Sequence, residues 1–181
     1  MKILVTERLT LRPIRDEDIP LITSILSDGG RNRYLFAGTA MTPDMALELI
    51  RQYFTGEEET AGMGALIINR TGRLAGFAGL IPTECLGATD VELGFALFAW
   101  AEGNNYPAEI GMAQMQCAFD DLDRPRALAL AHPENAASIH ILRDKLQMQE
   151  MGRWPGDRHR GPRIVFCRNR IDGLPMIKET E

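Results

Sequence analysis

Two long apolar segments, Met63–Ile68 and Arg73–Ile81, are separated by Asn69-Arg70-Thr71-Gly72, and a third extended segment, Asp90–Phe98, follows closely. Four residues rich in turn formers cannot carry a crossover, so the first two segments must pair antiparallel as a hairpin. Three consecutive strands in mid-chain exclude a regularly alternating parallel architecture. Gly94 in the third segment marks a place for a bulge or a close backbone approach.

Periodicity on either side of this hairpin completes the order. Thr6–Arg12 alternates, with Leu9 and Leu11 on one face, and predicts a first strand ending at Pro13. Asp16 is placed to cap a helix carrying Ile19, Ile22, Ile25 and Leu26 that stops at Asp28-Gly29-Gly30. Thr42-Pro43 opens a second helix with Ala46, Leu49, Ile50 and Tyr53 at helical spacing, ending before Gly56. Pro107 opens a third, running to about Asp120, whose broad apolar face of Ile110, Met112, Met115, Cys117 and Phe119 implies deep burial. Ala127–Ala131 follows as a short strand, Pro133 to about Leu146 as a helix, and Arg163–Arg168 as a last strand. The order β-α-α-β-β-β-α-β-α-β predicts an α/β (α+β) fold with a mixed, mostly antiparallel central sheet and helices on both faces.

Composition narrows the partners. With 181 residues, one domain spanning 1–181 is expected. A net charge of −5 gives no general basic field for nucleic acid or an anionic membrane. Within that acidic chain, Met151–Arg170 carries six arginines against the single acid Asp157, a local excess able to grip a phosphate or an acidic acceptor, or to line a solvated loop and strand. The longest apolar run, Leu93–Ala101, is too short to span a bilayer, and Glu7 and Arg8 interrupt the start before a signal core can form. A cytoplasmic location is expected. Cys85, Cys117 and Cys167 are odd in number and widely spaced, which predicts free thiols rather than disulfides or a zinc site. His132 and His140 lie too far apart for a helical metal pair and are read as non-catalytic; the methionines are read as core filling. No metal is expected.

Trp100-Ala101-Glu102-Gly103-Asn104-Asn105-Tyr106-Pro107 joins a strand to a helix, where successive N–H groups and the helix dipole form a seat for an anion. The lysine-bearing nucleotide loop GxxxxGK[ST] is absent, which disfavours an ATPase. Val91-Glu92-Leu93-Gly94-Phe95, the turn at Gly103, and His132-Pro133-Glu134-Asn135-Ala136-Ala137-Ser138-Ile139 together resemble the GNAT acyl-CoA N-acetyltransferase superfamily. Thr6-Glu7-Arg8-Leu9-Thr10-Leu11-Arg12-Pro13 is similar to the opening of its ribosomal-protein N-terminal acetyltransferase branch.

That resemblance implies a set of roles. The pantetheine arm of acetyl-CoA would lie along Phe95, Ala96 and Leu97, and the pyrophosphate on Gly103, Asn104, Asn105 and Tyr106. Asn135 would hold the arm, Ser138 would serve the departing thiolate, and Glu92 would take a proton from the acceptor ammonium. The rival readings are an exposed strand carboxylate for Glu92, and a simple helix cap at Asn135 with Ser138 on the surface. The family turn, Q/R-x-x-G-x-G/A, keeps only Gly103; Trp100 and Asn105 replace its ends, Pro107 lacks an N–H, and Ala108 lacks a hydroxyl. Leu142 stands where many relatives carry a tyrosine acid. The implied activity is direct acetyl transfer from acetyl-CoA to a primary amine, of a protein N-terminus or a small molecule. An acyl-CoA-binding module without turnover and an enzyme for another acyl group are the alternatives. The implied partners are an acyl-CoA and an amine acceptor, with no membrane or nucleic acid, in a monomer or homodimer. Acceptor specificity is expected from Gly29–Phe54 and Met148–Arg163.

Overall fold

A computed structural model describes residues 1–36, 38–54, 62–157 and 160–174. The central hairpin forms as its turn dictates: β3 (Gly62–Ile68) pairs antiparallel with β4 (Arg73–Thr83), and β4 with β5 (Asp90–Leu97). They lie inside one eight-stranded sheet of order β1-β2-β3-β4-β5-β6-β8-β7, with β1 Leu4–Val5, β2 Leu9–Arg12, β6 Arg126–Ala131, β7 Gln149–Trp154 and β8 Arg163–Asn169. Every neighbouring pair is antiparallel except β5 and β6, which run parallel and meet in register at one position, Glu92 opposite Leu128. The mixed, mostly antiparallel sheet expected from the sequence is the one observed.

Helices cover both faces. On one, α1 (Ile19–Leu26) and α3 (Pro43–Tyr53) bury Ile22, Ile25, Ala46 and Ile50 against Met63, Ala65, Phe77 and Ala96. On the other, α4 (Tyr106–Asp120) and α5 (Ala136–His140) with its continuation pack Met115, Phe119, Leu142 and Leu146 on Val91, Leu93, Ala129 and Phe166. Thr42 caps α3 as its sequence requires, its hydroxyl accepting the Met45 N–H at 3.3 Å. Among the described residues no helix is long and apolar enough to cross a membrane. Cys117 and Cys167 are buried free thiols, and Cys85 is half-buried.

Several expectations are corrected. The first strand begins at Leu9, because Thr6 turns back to bond the Leu9 carbonyl; the short β1 precedes that turn. Asp16 does not cap α1. Asp18 instead accepts the Arg15 N–H at 2.8 Å and the Arg12 guanidinium at 2.6 and 3.2 Å, a buried two-point ion pair that opens a short 3-10 turn, Asp16–Asp18. α1 does stop before Asp28-Gly29-Gly30, but a separate short helix not expected from the sequence, α2 (Gly29–Asn32), starts there. Gly94 carries no bulge; the β4–β5 ladder is continuous through it, and the β3–β4 ladder shifts instead, with Ala75 of β4 the extra residue opposite the Leu66–Ile67 step. The helix assigned from Pro133 begins only at Ala136 and passes into a π-turn over Ile141–Lys145 before the chain reverses at Gln147, φ 49°. Strand β7 lacks alternation in burial and escaped the periodicity reading.

One polar side chain of α4 reaches the backbone of the central strands. Gln114, buried on α4, donates its side-chain amide to the carbonyls of Gly79 and Gly94, the latter two residues beyond the last β5–β6 pair. Gln114→Leu keeps the volume but removes both donations. It is expected to cost about 2–4 kcal/mol, since a buried carbonyl left without a donor loses about 1–3 kcal/mol. The urea midpoint should fall with the slope unchanged. An unshifted midpoint would show that the carbonyls find other donors.

Candidate active site

Alternation along β5 assigns its side chains to opposite faces. Val91 and Leu93 join the core under α4, whereas Ala96 joins the core under α1 and α3, so Glu92, Gly94 and Ala96 share the α1/α3 face. On β6, Ala127, Ala129 and Ala131 face α4, which leaves Leu128, Leu130 and the following His132 beside Glu92's face. Phe95, Ala96 and Leu97 pair with Ala78, Phe77 and Gly76 of β4. Among the described residues the β5–β6 ladder holds the one pair Glu92–Leu128, and these three residues lie beyond it. The opening lies between two walls of backbone.

At the end of β5, Phe98, Trp100 and Arg73 form a stack: the rings lie 6.2 Å apart, and the Arg73 guanidinium sits 3.5 Å from the centre of the Trp100 ring. Trp100 thus fastens the following turn to the start of β4. Gly103 has φ 78° and Asn105 φ 58°, both left-handed, and the Asn104 side chain bonds the carbonyls of Ala101 and Glu102 at 3.2 and 3.0 Å. Among the described residues, the N–H groups of Gly103, Asn104, Asn105 and Tyr106 donate to no protein acceptor. They lie at the N-terminus of the 15-residue α4, where the dipole favours an anion.

A clamp missed at the sequence level holds this end of α4. Glu109 accepts the Thr6 hydroxyl at 2.5 Å, the Arg8 N–H at 2.9 Å and the Arg8 Nε at 2.6 Å, while the Arg8 guanidinium lies 5.1 Å from the centre of the Tyr106 ring. Burial pushes the Glu109 carboxyl up, but these donors outweigh it and hold the group below its ordinary range. Thr6 and Arg8 therefore brace the turn that opens α4. Glu109 carried only the signal of an acid in the first turn of a helix.

Glu92 is 7% exposed, so the reading of an exposed strand carboxylate is overturned. Arg160 Nη1 reaches both of its oxygens, at 2.8 and 3.1 Å. Burial pushes the carboxyl up, Arg160 opposes that most strongly, Arg163 and the Thr83 hydroxyl add to the opposition, and the net result is a carboxyl above its ordinary value. The Cys85 thiol is likewise pushed up by burial, which keeps it a thiol rather than a nucleophile at neutral pH. Four arginines of the basic segment fall into two groups, and Arg158 lies outside the described residues. Arg160 and Arg163 enter the site, while Arg168 and Arg170 are tied at the far end to carbonyls near Gly173 and to Asp123.

Asn135 and Ser138 sit half-buried at the start of α5. The Asn135 Oδ1 accepts the Ser138 N–H at 3.1 Å, so Asn135 does cap this helix; its amide nitrogen remains available beside that bond. His132 stacks on Tyr34 with ring centres 5.2 Å apart, joining the end of β6 to the segment after α2, and its Nδ1 accepts the Glu134 N–H at 3.2 Å. His140 pairs with Asp144 on the exterior. Leu142 is buried in the core, so no side chain from that position enters the opening. Among the described residues, no cluster of histidine, cysteine, aspartate or glutamate is placed to hold a metal ion.

Comparison with known proteins agrees with this architecture. Residues 8–148 match the model of an acetyltransferase (GNAT) domain. An uncharacterized Bacillus subtilis (strain 168) protein, YkkB, is 26% identical over 140 residues, covering 76% of this chain and 80% of that protein. The fold is shared with the acetyltransferase from Agrobacterium tumefaciens str. C58, at a TM-score of 0.76 and 22% identity over 93% of this chain and 95% of that one. It is also shared with the spermidine N-acetyltransferase from Vibrio cholerae in complex with CoA and spermine, at 0.72 and 14% over 92% and 98%.

The Glu109 clamp makes a pH-dependent prediction. A depressed carboxylate contributes stability that is present above its unfolded pKa, about 4.3, and is lost as pH falls through the lower folded value. Glu109→Gln should therefore destabilise the protein by about 1–2 kcal/mol at pH 7. The gap to wild type in chemical denaturation should close below about pH 4. A pH-independent gap would contradict the charged clamp.

Proposed function

Because this chain belongs to the GNAT acetyltransferase family, we propose that its single 1–181 domain transfers the acetyl group of acetyl-CoA directly to a primary amine. The observation that carries this reading is the opening between β5 and β6 with free N–H donors at its mouth. The stretch of β5 beyond the Glu92–Leu128 pair suits the amide-bearing pantetheine arm, with the Asn135 amide as a further donor. The N–H groups of Gly103, Asn104, Asn105 and Tyr106 suit the pyrophosphate. Pro107 and Ala108 withhold two donors, so these four and the α4 dipole carry the phosphate charge.

Acetyl-CoA supplies an acyl carbon activated by a thiolate leaving group. The chain's part is to manage protons and position. Glu92, on the α1/α3 face, takes a proton from the acceptor ammonium, directly or through a water molecule, and frees the nitrogen lone pair. The amine nitrogen bonds to the carbonyl carbon, the C–S bond breaks with its electron pair going to sulfur, and the amide nitrogen loses its remaining extra proton to solvent. Ser138, on the α5 side, donates a hydrogen bond to the departing sulfur; the thiolate takes one proton through that hydroxyl, which solvent reprotonates. With Leu142 buried, no tyrosine at that position competes for the role.

Two measurements test this reading. CoA at a hundredfold excess over its Kd should stabilise the protein by about 2.7 kcal/mol. Gly103→Val should abolish the accompanying rise in melting temperature, because a branched side chain is strained at φ 78° and crowds the phosphate seat. A shift that survives the substitution would place the ligand elsewhere. In an amine-acceptor screen with acetyl-CoA and succinyl-CoA, Glu92→Gln should lower the rate about 100-fold or more at pH 7 and recover in part at alkaline pH as the amine deprotonates unaided. Transfer at the wild-type rate at pH 7 would make Glu92 structural, and binding without transfer to any amine would favour a non-catalytic module.

A further inference from the structure

A carboxylate as deeply buried as Glu92 does not stay charged by itself, since desolvation favours the neutral acid. A neutral Glu92 could not accept a proton. The inference drawn here rests on the reading of Glu92 as the base and concerns what makes that reading chemically tenable. The elements around Glu92 contribute few charges of their own. From β4 comes the Thr83 hydroxyl, and from the β4–β5 connection the neutral Cys85 thiol. Asp90, two residues along β5, is already closed by Arg126 of β6 at 2.7 and 2.8 Å. Leu128, opposite Glu92, is apolar. From β8, Arg163 is 4% exposed and spends its guanidinium on the carbonyls of Gly161, Pro162 and Phe36 at 3.1, 3.0 and 2.8 Å.

Arg160 is placed differently. It stands in the β7–β8 connection, its guanidinium lies 4.9 Å from the centre of the Trp154 ring, and its backbone closes a turn with Asp157 through two bonds of 2.8 Å. Asp157 also faces the guanidinium at 3.7 Å, and Tyr53 of α3 contributes to the field around it. With Asp157 on its Nε side, the guanidinium turns Nη1 toward Glu92, and that one nitrogen spans both carboxylate oxygens.

We propose that Arg160 is a positioning residue of the transfer reaction: held by Trp154 and Asp157, its guanidinium keeps the buried Glu92 carboxylate in the charged form that an acceptor ammonium requires. The geometry also limits the effect. Because Nη1 alone makes both contacts, the carboxylate retains lone pairs away from the arginine for the incoming proton. The β7–β8 connection thereby becomes part of the catalytic apparatus.

The direct test needs no acceptor. An infrared pH titration of the apo protein, with the Glu92 carboxyl band assigned by difference against Glu92→Gln, is run on wild type, Arg160→Met and Arg160→Lys. Removing the cation should raise the Glu92 midpoint by about 1–2 pH units, a tenfold to hundredfold gain in proton affinity. Arg160→Lys should restore most of the wild-type midpoint. In steady-state assays the acid limb of kcat/KM should move upward with the midpoint in Arg160→Met. A Glu92 midpoint that stays at the wild-type value in a folded Arg160→Met protein overturns the proposal, as does a rate loss in that variant with an unmoved acid limb. If Arg160→Met does not fold, Arg160→Gln replaces it, with the same expected direction and the same overturning result. Failure of the underlying reading is separate: Glu92→Gln would then match wild type in rate and pH profile whatever the titration shows.

Discussion

The single register pair between β5 and β6 governs the rest of the molecule. A parallel ladder continued past Glu92 and Leu128 would close the sheet and leave no opening. Parted strands expose backbone polar groups that must be satisfied elsewhere, because a buried orphan group costs as much as a lost hydrogen bond. Gln114 ties α4 to the β4–β5 ladder by bonding the carbonyls of Gly79 and Gly94. The same helix presents its N-terminus at the mouth of the opening, so one element both braces β5 and supplies the dipole there. The Glu109 clamp to Thr6 and Arg8 fixes where that N-terminus points.

The α1/α3 face of the opening is organised by charge. Arg160 ties the β7–β8 connection to Glu92, and Arg163 ties the end of β8 to the Phe36 carbonyl in the segment after α2. Tyr34 on His132 adds a stacking contact between that same segment and β6. Two of the variable stretches in which acceptor specificity was expected are thus anchored to the floor of the site by named side chains. Buried ion pairs are weak evidence for stability, since desolvation offsets their attraction, and this pair is better explained by what it does to the carboxylate.

The fold was legible where local chemistry settles the outcome. Asn69-Arg70-Thr71-Gly72 permits a hairpin and little else, and Thr42-Pro43 starts a helix by a side-chain cap and a fixed φ. Reading failed where distant groups decide. Thr6 leaves the strand because Leu9 and Glu109 compete for it, and Asp18 rather than Asp16 opens the first helical turn because Arg12 is within reach. The π-turn over Ile141–Lys145 leaves no periodic signature in five residues. In the candidate site, the resemblance of the surrounding blocks singled out Glu92, Gly103 and Asn105, and the structure places the first in a buried ion pair and the other two at positive φ. Arg160 was visible only as one of six arginines, and its partner lies 68 residues away in sequence. Gln114 gave no signal in the sequence, because its two carbonyl partners lie on β4 and β5, 35 and 20 residues away.

Backbone amide exchange, followed residue by residue with and without CoA, tests the central claim that the parted strands and the turn beyond them form one ligand seat. The account predicts slowed exchange concentrated in Phe95–Leu97 and Gly103–Tyr106, with Pro107 silent because it has no N–H. Saturating CoA that protects neither segment, or that protects a different region of the sheet, would contradict it.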